Sequence, residues 1–164
     1  KWLFTPIDCS TLWTRKPEAL HAAFALVPDY LAATADAVDL KDYGPALGRR
    51  FRALKLWTVL RMYGAEGLRA LIREHVRLAE LFASLVEAEP EWEIVAPHPF
   101  STVCFRHAEA DNEEIARAAT ATGEIFVATT KLRGETIIRL AIGNERTTQA
   151  DILRAWEVLR SSAR

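Results

Sequence analysis

The 164-residue sequence predicts an α/β protein whose rear part is a small α+β layer, and three features carry that prediction. Apolar residues recur at helical spacing through "GRRFRALKLWTVLRMYG" and again from about Glu66 to Ala88, which implies two long helices. Beyond Pro90 the hydrophobic period drops from the helical 3.6 to the strand value of 2. From Trp92 onward the segments then run strand, strand, helix, strand, strand, helix, the order of a small sheet covered by helices on one face.

In chain order, Trp2 to Thr14 is rich in β-formers and is expected to form two short strands joined near Pro6, which cannot donate to a central ladder. "PEALHAAF" fits a short helix with Pro17 in the tolerated first turn. From Val27 to Leu47 the aspartates, small residues and a Gly-Pro pair leave no sustained apolar face; so long a structureless connection suggests a functional lid or a disordered segment. Phe51, Leu54, Trp57 and Thr58 then mark a helix that Gly64 stops. In the next helix Leu68, Leu71, Ile72, Val76, Ala79, Phe82 and Val86 form one apolar stripe, and Pro90 ends it. "WEIVAP" and "STVCFRH" read as strands, Asn112 to Thr122 as a helix closed by Gly123, and "EIFVATTKL" and "TIIRLAI" as a hairpin around Gly134. Thr148 and Asp151 make a capping box for a last helix that turns Ile152, Trp156 and Leu159 inward.

Half the residues are hydrophobic and 26% are charged, with a net charge of −1. That is a globular profile with no field to draw in nucleic acid or an anionic membrane. No apolar run reaches the roughly 20 residues a spanning helix needs, so no membrane partner is expected. Cys9 and Cys104 read as reduced, buried thiols, which suggests a cytoplasmic location. The four histidines fall in no metal-ligand spacing; His75, in "REHVR", reads as a solvated or helix-pairing residue on the polar flank of its helix. The glycines spell no phosphate loop, and no G-x-S-x-G elbow occurs. The basic cluster Arg49, Arg50, Arg52 and Lys55 lacks interleaved aromatics, so pairing with acidic neighbours is expected rather than nucleic-acid binding. On spacing alone, Lys1 before an apolar run and Tyr30 in the long connection are a surface charge and a loop anchor.

The words "KWLFTPIDCSTLW", "VPDYL" and "LGRRFRALKLWTVLRMYGAEGLRALIREHVRLAELF" resemble the C-terminal part of the pyridoxal-phosphate-dependent aromatic-L-amino-acid decarboxylases, the group II amino-acid decarboxylases. The resemblance is in register from Lys1 to about Val86 and looser beyond Trp92. It implies the C-terminal part of an aminotransferase-like (fold type I) enzyme. Residues 1–54 would be the tail of the large cofactor domain, including a mobile catalytic loop at about 27–47, and 55–164 the small α+β domain. It also implies that most of the cofactor domain precedes Lys1, with the groups that hold the cofactor's ring and phosphate, so that this stretch alone would be inactive.

The resemblance makes Lys1 the residue whose amine condenses with the aldehyde of pyridoxal 5′-phosphate, and Tyr30 a proton donor to the substrate Cα once CO₂ has left. A phenol, with an ordinary pKa near 10, carries its proton at neutral pH and can serve as that acid. Trp2 and Ile7 would line the aromatic side-chain pocket, and Gly48 would bear on the choice between indole and phenol substrates. By residue type alone, Trp2 and Ile7 are equally compatible with core packing, and Gly48 with a backbone turn. The implied function is decarboxylation of an aromatic L-amino acid (tryptophan, tyrosine or DOPA type) by a homodimer with its site at the interface. The alternatives are an aldehyde synthase using the same cofactor and, for this stretch by itself, a non-catalytic α/β module.

Overall fold

The computed structural model describes residues 2–25 and 38–163; Lys1, Tyr30 and the first half of the 27–47 connection lie outside the described residues. The described residues form two compact units, one within Thr5–Met62 and the other made by 63–163 together with 2–4.

In the larger unit the helix α2 (Arg52–Glu87, which begins in the other unit) is broken in geometry at Gly64, whose φ of 63° and ψ of 177° are open only to a residue without a Cβ. The expected stop at Gly64 is thus borne out: the backbone there is non-helical, and two helices run on either side of it. After it, Leu68, Leu78, Ala79, Phe82, Ala83 and Val86 are buried, a 3.6-period stripe with Leu78 and Ala83 widening the face read from the sequence. The helix ends at Glu87, three residues before Pro90.

A sheet of order β1-β2-β4-β3 follows, every pair antiparallel: β1 is Trp92–Ile94, β2 Thr102–His107, β3 Ala128–Leu132 and β4 Glu135–Ala141. Alternation along β2 buries Val103, Phe105 and His107, which pair with Leu140, Ile138 and Trp92 respectively. The opposite face carries charge: Arg106 is ion-paired with its cross-strand partner Glu93 and with Glu135. β3 starts at Ala128, later than the apolar run predicts, because Phe126 is exposed and only from Ala128 does the chain pair with β4. Arg133 and Gly134, both at positive φ, make the two-residue turn whose handedness matches the strand twist.

Two helices join α2 on the apolar face of the sheet. In α3 (Asn112–Ala121) the Asp111 carboxylate caps the first turn by accepting from the Glu113 and Glu114 amides, and Gly123 at φ 74° closes the end. α4 (Gln149–Ser162) opens on the predicted capping box, in which the Thr148 hydroxyl and the Asp151 carboxylate each satisfy the other's backbone amide. The shared core is aromatic at its centre. Phe82 meets Phe105 edge-on at 5.0 Å and Trp156 at 5.7 Å, and Trp92 meets Trp156 at 5.1 Å. Such pairs contribute about 0.5–1.5 kcal/mol beyond the area they bury.

In the smaller unit α1 (Pro17–Phe24) begins on Pro17 as expected. The His21 ring stands edge-on to Tyr43 of a 3-10 turn, Leu40–Tyr43. Lys41 Nζ lies 2.9 Å from an Asp39 oxygen and 3.0 Å from one of buried Asp42, and these bonds raise the Lys41 pKa and lower that of Asp39. The two strands expected within residues 2–14 do not form. β-propensity needs a neighbouring ladder to be realised, and the sheet of the larger unit does not extend to this segment.

Candidate functional site

Trp2 sits in the larger unit, 39% exposed, with its ring edge-on to Phe100 at 5.2 Å and 68°. With Phe4, His75, Ser101 and Arg139 it lines a cavity of about 390 Å³. Phe4 has φ 54°, a left-handed conformation seldom adopted by a bulky residue. Its ring meets His75 edge-on at 5.5 Å and 77°. His75 corrects the expectation of a solvated side chain: it is 3% exposed, and its Nε2 lies 3.0 Å from the Asn144 carbonyl oxygen. A carbonyl can only accept, so Nε2 carries the proton and donates it. Arg73, Glu74 and Arg77 beside it make His75 look solvated; the signal that it is buried is its spacing, in line with Leu68, Leu71 and Ile72 one and two turns earlier.

Ile7 and Gly48 lie in the smaller unit. The Ile7 side chain is 96% exposed, and its carbonyl accepts from Lys55 Nζ at 3.0 Å. Gly48 is exposed and not at positive φ, and a Cβ added there would meet no atom within 4 Å, so neither backbone strain nor crowding requires a glycine. None of Trp2, Ile7 and Gly48 is locked in the core.

The same unit contains an open cleft of about 740 Å³ lined in part by Asp8, Lys41, Arg49, Arg50, Phe51 and Arg52. The basic cluster does find an acidic neighbour. Asp8 Oδ2 receives Arg52 Nε at 2.8 Å and Nη2 at 2.7 Å, while Lys55 and Arg50 lie 3.8 and 4.0 Å from Oδ1. The hydrogen bond from Arg52 holds the Asp8 carboxyl down at about 2. Asp8 was legible only as a lone acid in an apolar run, with nothing to name its partner 44 residues on.

The pyridoxal phosphate implied by the resemblance can be weighed against the residues present. Lys1 contributes a primary amine, the group an aldehyde condenses with. The residues bonded after it, Trp2 and Phe4, border accessible space rather than packed core. To that extent the residues fit the group.

Comparison with known proteins agrees with these observations. Residues 1–108 match the model of the pyridoxal-dependent decarboxylase conserved domain. Over 99% of its length the chain is 40% identical to tyrosine decarboxylase 2 of Narcissus pseudonarcissus and 39% identical to phenylacetaldehyde synthase of Arabidopsis thaliana, covering 35% and 36% of those proteins. The crystal structure of Catharanthus roseus tryptophan decarboxylase in complex with L-tryptophan superposes with a TM-score of 0.77 at 32% identity, covering 91% of this chain and 32% of that one. The chain therefore spans about a third of the length of the relatives it matches. Since the family match takes in well over half of the residues, the chain belongs to the pyridoxal-dependent decarboxylase family.

Proposed function

We propose that the polypeptide carrying this chain decarboxylates an aromatic L-amino acid to the corresponding amine and CO₂. The observation that carries the reading is the 40% identity, across 99% of the chain, to a protein named as a tyrosine decarboxylase. A tryptophan decarboxylase of the same fold stands beside it.

Pyridoxal phosphate, when bound, supplies an aldehyde for imine formation and a ring that withdraws the electron pair left by the departing carboxylate. In this proposal the Lys1 amine holds the cofactor, and the Tyr30 hydroxyl delivers a proton to the substrate Cα after CO₂ has gone. Trp2, Ile7 and Gly48 contact the substrate's aromatic side chain; their accessibility, and the open space around Gly48, support that assignment. Residues 1–54 act as the tail of a large cofactor domain and 55–164 as a small domain; the two compact units divide the chain elsewhere, between Met62 and Tyr63, with residues 2–4 in the rear one. The enzyme works as a homodimer with its site at the interface. Its compartment is cytoplasmic, a reading supported by the two thiols, which are both free.

Borohydride reduction of the full natural polypeptide, followed by peptide mapping, tests the reading. A pyridoxyl label on Lys1 is expected, and a label on any other residue overturns it. A second reading, oxidative conversion to an aldehyde with consumption of dioxygen and release of peroxide, is favoured by the 39% identity to a phenylacetaldehyde synthase. Assaying amine against aldehyde and peroxide separates the two.

A further inference from the structure

We propose that His75 is a positioning residue for the cofactor lysine: held by the Asn144 carbonyl, its ring backs Phe4 and so sets the path of the segment to which Lys1 is bonded. The inference rests on the reading of Lys1 as the cofactor lysine.

A buried polar ring has to satisfy its donor, where an apolar side chain would pack without that demand. His75 does so through one defined bond, Nε2–H to the carbonyl of Asn144 in the connection between β4 and α4. That bond sets both the tautomer and the plane of the imidazole. A set plane matters because the contact on the other side is directional, with the Phe4 ring standing at 77° to it. Phe4 is also the residue whose backbone is left-handed at φ 54°. An aromatic residue keeps that conformation only where its surroundings over-determine it. A second contact, Trp2 on Phe100, pins the same short segment to the connection before β2. The segment that follows Lys1 is therefore held by ring contacts at both Trp2 and Phe4, and His75, the partner of Phe4, is itself locked by a hydrogen bond to a further part of the chain. An amine that must meet an aldehyde and then yield it to a substrate loses rate if displaced by an ångström. In this proposal His75 acts on that amine through Phe4.

The test uses His75→Gln, Phe4→Leu and the double variant in the full natural polypeptide. Glutamine keeps an N–H donor for Asn144 but loses the ring, and leucine keeps bulk at position 4 but loses the aromatic partner. Each single variant should weaken cofactor binding by about three- to ten-fold, the range expected for loss of an aromatic pair. Each should also alter the visible absorption of the bound cofactor. The double variant should be no worse than either single, since both remove one contact. If the variants melt at lower temperature but bind the cofactor with native affinity and spectrum, or if their effects multiply, His75 is core packing alone and the proposal fails. Should His75→Gln not fold, Phe4→Leu decides by the same two readouts. Borohydride mapping separates the levels of failure. A label on Lys1 with unaltered variants removes only this inference, whereas a label elsewhere removes the reading beneath it as well.

Discussion

One oxygen of Asp8, Oδ2, receives both the Nε and an Nη2 of Arg52, joining the opening segment of the chain to the first turn of α2. Arg52 thereby lowers the Asp8 pKa from the ordinary 3.8 to about 2, so the ionised form is favoured in the folded unit. The stabilisation is present in full above about pH 4 and is lost as the pH falls from there towards 2. A carboxyl-selective NMR titration should find Asp8 near 2, and Arg52→Ala should raise it towards the ordinary range, the backbone hydrogen bond and Lys55 still holding it down. An Asp8 that titrates normally beside an intact Arg52 would contradict the pairing.

Phe82 is the hub of the aromatic core, touching Phe105 and Trp156 and fully buried. Phe82→Ala should cost about 3–5 kcal/mol, because it removes two ring contacts and leaves a cavity that three packed elements cannot collapse into. Denaturant unfolding monitored by tryptophan fluorescence measures this directly.

The two glycines of α2 should respond with opposite signs. At Gly64 the backbone lies where side chains are strained, so Gly64→Ala should destabilise by about 1–3 kcal/mol despite open space around the added methyl. At Gly67 the added Cβ would meet the Tyr63 Cβ at an ordinary 3.5 Å. Gly67→Ala should therefore stabilise, by about 0.5–1 kcal/mol. Paired thermal melts of the two variants check the contrast.

Removing the Thr148 hydroxyl of the α4 cap with Thr148→Ala leaves the Asp151 amide without its acceptor, while the backbone amide at 148 still donates to the Asp151 carboxylate, and should cost about 1 kcal/mol. Thr148→Ser should retain most of it, and amide exchange in the first turn of α4 reports which bonds are lost.

If Tyr30 is the proton donor, Tyr30→Phe should lower amine formation by on the order of 10²-fold or more, with aldehyde and peroxide rising. Unaltered amine output from that variant would take Tyr30 out of the mechanism.

Wherever neighbours along the chain decide the outcome, the sequence alone was sufficient. Pro17 opens α1, Thr148 and Asp151 open α4, Gly123 closes α3 and Gly134 sits in the turn between β3 and β4, each where the sequence puts it. The period of two in "STVCFRH" places Val103 and Phe105 inward, and the helical stripe through Phe82 and Val86 faces them. The family words from "KWLF" to "ELF" were equally legible, because they reside in residue order itself.

Tertiary structure decided the rest. Residues 2–14 carry strand-forming side chains yet form no strand, since a ladder depends on where other strands run. His75 looks like one more polar residue on a charged helix until the Asn144 carbonyl and the Phe4 ring, one 69 residues ahead and the other 71 behind, close around it. The physical reason is the same in both cases. Helical caps and turns are satisfied within a few residues, whereas burial of a polar ring and pairing of a strand are satisfied by partners that only the folded chain brings into reach.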